Sequence, residues 1–200
     1  MSEFDARARE WDKNLIHIER SQAIAEELQK MIPIEHSMKA LEYGAGTAIL
    51  SFLLKDKFAE ITLMDNSSEM IKVCEEKAEY FKTRHIYPLF YDLEHNDFEV
   101  KFDITYNQMV MHHVKDIEKM FSKFYALLNP GGYLAIADLY PEDGSFHGPD
   151  VDVHLGFNPE KITEILKKIG FSEIEYMTCF EIKREANKLF PVFLLKAKKL

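Results

Sequence analysis

The order of apolar runs predicts an α/β fold, a mostly parallel sheet with helices on both faces. Two observations carry it. Strand-sized apolar runs alternate with helix-period segments from residue 38 onward, the pattern of a sheet covered on both sides. The first run ends in the small-residue turn Gly44-Ala45-Gly46, and the second ends on Asp65, 19 positions after Gly46. In open α/β sheets ligands bind beyond the C-terminal strand ends, so turn and carboxylate fall on the same rim.

The elements follow in order. Phe4, Ala8, Trp11, Leu15, Ile18, Ala25, Leu28 and Ile32 recur at helical spacing, which predicts one helix or two over about 3–31, ending before Pro33. Strands are expected at 38–43 and 60–64, each followed by a helix, at about 47–55 and 67–82. Thr47 is placed to cap the first of these helices, and Asn66 with Glu69 to form a capping pair on the second. Further strands are expected at 86–91, 102–106 and 133–138. Between the last two, Asp116 caps a helix striped by Ile117, Met120, Phe121, Phe124 and Leu128. Asn158 and Pro159 open a last helix that Gly170 ends, and strands at 171–182 and 191–197 complete the chain. The stretch 139–157 is long and irregular, which in a compact domain points to function.

Composition bounds the function. With 200 residues and a hydrophobic fraction of 46%, the chain suits a single domain with a real core. A net charge of −9 argues against a nucleic-acid partner, and no apolar run approaches the roughly 18 residues of a membrane span. The opening Met1-Ser2-Glu3-Phe4-Asp5 has neither a basic nor an apolar leader region, so a cytoplasmic protein is expected. Cys74 and Cys179 fall within apolar patterns and read as buried, reduced thiols.

Gly44 and Gly46 allow positive φ and a close approach of ligand to backbone. As a G-x-G-x-x-G dinucleotide fingerprint the run is incomplete, because Ile49 stands where a small residue is needed. Asp65 either grips a ribose diol or caps the helix nearby; a diol would satisfy both of its oxygens.

Five segments in order resemble class I S-adenosylmethionine-dependent methyltransferases, in particular the type 11 group that includes quinone-biosynthesis methyltransferases. They are Leu41-Glu42-Tyr43-Gly44-Ala45-Gly46-Thr47, Leu63-Met64-Asp65-Asn66-Ser67, Phe90-Tyr91-Asp92-Leu93, Phe102–Asn107 with Met111-His112-His113-Val114, and Leu127–Leu134 around Pro130-Gly131-Gly132. One departure is Ala48, where many members have glycine. The resemblance implies a Rossmann-like, seven-stranded sheet whose last strand is antiparallel and inserted. It also implies an N-terminal helical lid at 1–33, a cofactor-binding core at 34–138, and an acceptor-facing loop and C-terminal sheet half at 139–200. Phe4-Asp5 with Trp11-Asp12 is similar to segments that close over the cofactor in this group.

By the same resemblance, S-adenosylmethionine is held by Glu42, Tyr43, Gly44, Ala45, Gly46, Asp65, Asn66, Met70, Asp92, Leu93 and Asn107. Asp65 takes the ribose hydroxyls, Asp92 and Leu93 the adenine edge, and Asn107 the methionine portion. For Asp92 an ordinary turn aspartate is the alternative; for Glu42 it is a structural role. Methyl transfer is an in-line displacement that needs alignment more than a metal or a covalent nucleophile. A base, where the acceptor needs one, would be a histidine or a carboxylate, and His112, His113, His147 and His154 are the candidate histidines; adjacent residues at a turn point apart, so at most one of His112 and His113 should face the pocket, and His112, His147 and His154 are carried forward. His147 and His154 with Asp150 or Asp152 lack metal-ligand spacing, so no metal is expected. Trp11, Tyr140, Phe146 and Phe157 are candidates for an apolar acceptor wall. The expected acceptor is a small molecule. The alternatives are a nicotinamide-dependent reductase on a related fold, disfavoured by Ile49 and the lack of a Tyr-x-x-x-Lys pair, and a non-catalytic cofactor-binding module.

Overall fold

The computed structural model describes residues 3–148, 151–184 and 187–200. The side chain of Phe4, and Asp150, both given parts above, lie outside what is described. The chain opens with α1 (Glu3–Arg7), a 3-10 stretch over Ala8–Lys13, and α2 (Leu15–Met31). The break between them is made by Asn14, which is extended and whose side chain accepts from the Ile16 N–H at 3.1 Å. This is an N-cap that turns one periodic run into two segments of different direction.

The core alternates β1 (Lys39–Tyr43), α3 (Ile49–Leu53), β2 (Glu60–Asp65), α4 (Ser68–Tyr80), β3 (Ile86–Phe90) and β4 (Phe102–Gln108). It continues with α5 (Ile117–Leu127), β5 (Leu128–Leu139), α6 (Pro159–Ile169), β6 (Phe171–Lys183) and β7 (Leu189–Lys199). One seven-stranded sheet results, in the order β3-β2-β1-β4-β5-β7-β6. Strands β1 to β5 are parallel, and β7 inserts antiparallel between β5 and β6, as the resemblance implies.

Alternation along the central strands sorts side chains into two cores. Ala40, Ala135, Ala137, Val192 and Leu194 face Ile24, Leu28, Leu50 and Phe58. Leu41, Leu134, Ile136, Phe193 and Leu195 face Phe121, Phe124 and Leu166. Burial on both faces is why these strands read as continuous apolar runs.

Two caps differ from expectation. Ser67, not Asn66, caps α4, its hydroxyl accepting from the Met70 N–H at 3.2 Å. Thr47 does not cap α3; Ala48 holds that position at φ +58°, and the Thr47 hydroxyl donates instead to Asp12 at 2.5 Å. The left-handed backbone at Ala48 is what glycine tolerates without strain. Cys74 is buried and Cys179 only half-buried, both as thiols. Among the described residues no helix is long and apolar enough to cross a membrane.

Candidate active site

The C-terminal ends of β1, β2, β3 and β4 open on one cavity of about 900 Å³, roofed by the N-terminal segment and closed at the far side by Ile182–Arg184 at the end of β6. Tyr43, Gly44, Ala45, Gly46, Asp65, Asn66, Met70, Asp92 and Leu93 all line it. Two glycines shape its floor. A Cβ on Gly44 would lie 2.3 Å from Val110, so no side chain fits there; Gly46, at φ +54°, has nothing within 4 Å of a Cβ. The turn is pressed down at its first glycine and left open at its second.

Asp65 holds this turn. Its Oδ2 accepts from the Gly46 N–H at 2.7 Å and its Oδ1 from the Ser67 N–H at 2.8 Å. Burial raises its pKa, while the bonds from Gly46, Ser67 and Asn66 oppose the rise. Each oxygen keeps a further acceptor site, so the carboxylate can take two hydroxyl donors as well. Asp92 is more committed: it accepts from the His95 ring at 2.8 Å and from the backbone of Glu94 and His95. Burial acts to raise its pKa, but the His95 contacts win and hold it below the usual carboxylate range. That arrangement is also what an ordinary turn aspartate would show.

Glu42 and Asn107 do not line the cavity. Both are about 1% exposed, beneath the turn, and none of their side-chain oxygens or nitrogens has a hydrogen-bond partner. Burial pushes the Glu42 carboxyl up to about 8, with the nearby Ser51 and Lys77 pulling the other way; the Ser51 hydroxyl is itself bonded to Tyr106 at 2.6 Å. Orphaned polar atoms this deep are costly unless something else meets them.

The histidines divide. His112, His113 and His147 line the cavity, and their ligand nitrogens all lie within 4.8 Å of one another. His112 is 2% exposed; its Nδ1 lies 2.7 Å from Oδ1 of the fully buried Asp138, whose Oδ2 accepts the His112 backbone N–H at 3.2 Å. Because Asp138 Oδ1 also accepts from the Leu139 N–H, Nδ1 carries the proton and Nε2 is left as the ring acceptor. Burial pulls His113 and His147 down to about 4, His112 adding to both and Arg184 also acting on His147. His154 does not join them: its Nε2 lies 3.0 Å from the Val114 carbonyl, and its backbone N–H bonds the His112 carbonyl at 2.8 Å. It braces the loop beneath His112 and does not line the cavity. Of the aromatic wall, Trp11 and Phe146 line the cavity; Tyr140, packed on Phe193, and Phe157, packed on His154, do not.

Residues 16–176 match a family described as a methyltransferase domain. The chain belongs to that family. Fold and match together make it a class I methyltransferase of the S-adenosylmethionine-dependent kind; they carry the class and leave the type 11 subgroup unspecified. An uncharacterized methyltransferase of Schizosaccharomyces pombe is 30% identical over 155 residues, covering 69% of this chain and 55% of that protein. The chain thus spans about half the length of that relative. Among solved structures, a chain of the complex between the Haloferax volcanii Trm112 methyltransferase activator and a methyltransferase superposes with a TM-score of 0.82. It shares 17% identity and is matched over 99% of this chain and 98% of its own. Phosphoethanolamine N-methyltransferase 2 of Haemonchus contortus, in complex with phosphomonomethylethanolamine and S-adenosylhomocysteine, gives 0.71 at 21% identity, over 90% of this chain and 52% of that one. The reductase alternative falls away with the family.

The methyltransferase cavity also takes residues from α2 and its approach that the sequence reading passed over. His17 and Arg20 line it, with Gln108 from the end of β4 and Arg184 beyond β6. Arg20 had a readable signal: it sits in the buried stripe of α2, four residues from Ile16 and from Ile24, where a charge has no place unless it has work to do. The N-terminal segment is latched over the site. Asp12 accepts from Thr47 and from Lys77, both at 2.5 Å, and Lys77 also reaches the Thr47 carbonyl at 2.7 Å. Asp5 accepts from the Ser67 hydroxyl at 2.6 Å, and Arg9 pairs with Glu76 at 2.9 Å.

Proposed function

We propose that this chain methylates a small-molecule acceptor, with residues 3–31 acting as a lid, the Tyr43–Gly46 turn and Asp65 holding S-adenosylmethionine, and His112 acting as base. The observation that carries the reading is the pairing of the open glycine turn with a carboxylate whose oxygens retain acceptor capacity, on one cavity wall. The residues fit the cofactor. Asp65 has room for a ribose diol, Met70 and Leu93 offer apolar contact, and the orphaned polar atoms of Glu42 and Asn107 suit a ligand's amino acid end reached directly or through water. When bound, the cofactor supplies a methyl group already activated on a sulfonium, whose bond to sulfur breaks as the bond to the acceptor forms.

The chain's own work is alignment, exclusion of water and proton removal. His112 is fixed in one tautomer by Asp138, leaving Nε2 to take the acceptor's proton, with Asp138 supporting the imidazolium that results. Nothing in this step needs a metal. The His112, His113 and His147 nitrogens would suit a borderline divalent ion, but the Arg184 charge acting on His147 opposes one. Free thiols at Cys74 and Cys179 fit a cytoplasmic setting.

Calorimetric titration with S-adenosylhomocysteine tests the binding half, and transfer of labelled methyl groups into metabolite extracts tests the chemistry, with and without a chelator. Saturable binding and chelator-insensitive transfer are expected. No binding to the folded protein defeats the reading; binding with no transfer across a broad screen favours a cofactor-binding module.

A further inference from the structure

The half of the cavity away from the glycine turn is cationic, in a protein whose net charge is −9. Arg20 is 6% exposed and lines the cavity, yet among the described residues no hydrogen bond or ion pair holds its guanidinium, and its Nε is buried without a partner there. Burial pulls its pKa down to about 10, opposed chiefly by the charge of Asp138. That carboxylate is not in contact with it; its oxygens are bonded by the His112 ring, the His112 N–H and the Leu139 N–H. Facing the same space, Arg184 has its guanidinium carbon 4.2 Å from the centre of the Phe146 ring, with no ion pair among the described residues. Gln108 lines the same space, its Oε1 3.0 Å from the Ser21 hydroxyl, which also donates to the His17 carbonyl at 2.8 Å.

Among the described residues, the carboxylates that line the cavity do not answer these cations. Asp65 is engaged with the glycine turn, Asp92 with His95, Glu94 with the Lys115 backbone and Glu10 with Lys13. A desolvated guanidinium with no counter-charge in contact is among the costliest groups a fold can bury. Two planar guanidiniums around one space form a donor set of the kind that oxyanions are recognised by.

We infer that the methyl acceptor carries an oxyanion, a carboxylate or a phosphate, which seats between Arg20 and Arg184, beside His112. This rests on reading the cavity as a methyl-transfer site, but concerns only the acceptor half. Beside that seat, His17 is lowered by burial and then by Arg20, and His147 by burial, His112 and Arg184, so these two rings are held toward their neutral forms. Charge is concentrated in the two arginines, which cannot lose it near neutral pH.

The test uses the full chain saturated with S-adenosylhomocysteine and follows thermal unfolding while inorganic phosphate, or in a parallel series malonate, is titrated at constant ionic strength against chloride. A saturable rise with either oxyanion and none with chloride is expected, the stronger of the two naming the acceptor's group. Arg20→Met should unfold at the same temperature as the parent or higher when no oxyanion is present, and should weaken the oxyanion response on the order of 10- to 100-fold, the worth of charge-assisted bonds. Arg184→Gln, at the cavity edge, should weaken it about 10-fold. Both variants should bind S-adenosylhomocysteine as the parent does. No response to either oxyanion, a response in Arg20→Met equal to the parent's, or a loss of stability in Arg20→Met without oxyanion would overturn the inference. Failure of S-adenosylhomocysteine to bind the parent sinks the methyl-transfer reading instead, so the two failures are distinguishable.

Discussion

The two ends of the cavity treat charge in opposite ways. Around the glycine turn, Asp65 and Asp92 are acids already met by backbone N–H groups, those of Ser67, Glu94 and His95 two or three residues away and that of Gly46 19 residues back, at the end of the neighbouring strand. Around Arg20, Arg184 and His112, the polar groups come from α2, from the end of β6 and from the loop after β4, and their contacts cross long stretches of chain. The first end is pre-organised by local structure and would be much the same without a ligand. The second is held together by tertiary packing and carries uncompensated charge, which is the more demanding way to build a pocket and the more selective one.

The comparison breaks most decisively at His112. If that residue is the base, His112→Ala should lower kcat by about 10²- to 10⁴-fold while leaving S-adenosylhomocysteine affinity unchanged. Asp138→Asn should behave similarly, because an amide can present its NH2 to Nδ1 and favour the wrong tautomer. Methyl-transfer rates beside calorimetric affinities check this. A variant that loses both together would show that His112 shapes the whole cavity and that the two ends are not separable.

At the other end the expected effect is on binding. Asp65→Ala should weaken S-adenosylhomocysteine by about 10- to 100-fold, the loss of two charge-assisted bonds at about 1.5–3 kcal/mol each less what solvent restores. It also frees the Gly46 and Ser67 N–H groups, so unfolding should be followed alongside. Asp65→Asn separates the parts, since it keeps an acceptor for the turn and loses the charge. Equal affinity in parent and Asp65→Ala would leave the carboxylate as a structural clasp only.

The two ends also differ in how stability should depend on pH. His113 and His147 have folded values of about 4, below the ordinary 6.5. Between those values the unfolded chain binds more protons, so stability rises with pH through the window and is lost on acidification. Glu42 has the opposite sign. Its folded value of about 8 exceeds the ordinary 4.5, so the folded state holds the extra proton and stability falls as pH rises through that range, by up to about 1.4 kcal/mol per pH unit. With two histidines against one glutamate below 6.5, and the glutamate alone above, unfolding of the ligand-free protein should be latest near pH 6.5. Glu42→Gln should flatten the alkaline side and raise stability at pH 8. A profile unchanged by that substitution would mean that Glu42 is ionised in the fold and partnered.

These differences account for what could be read beforehand. The glycine turn, Asp65 and the order of elements along the chain lie in contiguous segments whose period and spacing are local properties, whereas the inserted antiparallel strand was legible only through the family resemblance those segments carry. Ser67 displaced Asn66 as the cap of α4 because only one residue can occupy the position where the backbone turns helical, and the two adjacent candidates are chemically alike. Asp138 was invisible: an acid inside the apolar strand Leu134–Leu139 announces itself only when His112 is brought to it from 26 residues away. His147 and His154 share one loop and one composition, and only the fold shows that the first turns into the cavity while the second braces the Val114 carbonyl. Arg20 was the exception, legible as a charge in an apolar helical stripe and passed over because the stripe itself already had an explanation.

The smallest effect tests whether the ends communicate through the lid. Asp12 joins the N-terminal segment both to the glycine turn through Thr47 and to α4 through Lys77, while the same segment carries Trp11, His17 and Arg20 over the acceptor side. The Asp12 contacts are partly exposed, so Asp12→Ala should cost no more than about 1 kcal/mol of stability. Its larger consequence is for closure: a lid that opens more often should weaken S-adenosylhomocysteine only a few-fold and raise proteolytic cleavage within residues 3–14 by a similar factor, since both follow the same opening equilibrium. Parallel changes would mean that holding the cofactor and covering the acceptor are one motion. Weaker cofactor binding without added cleavage would place the role of Asp12 in the turn alone, through Thr47, and leave the acceptor end to close by itself.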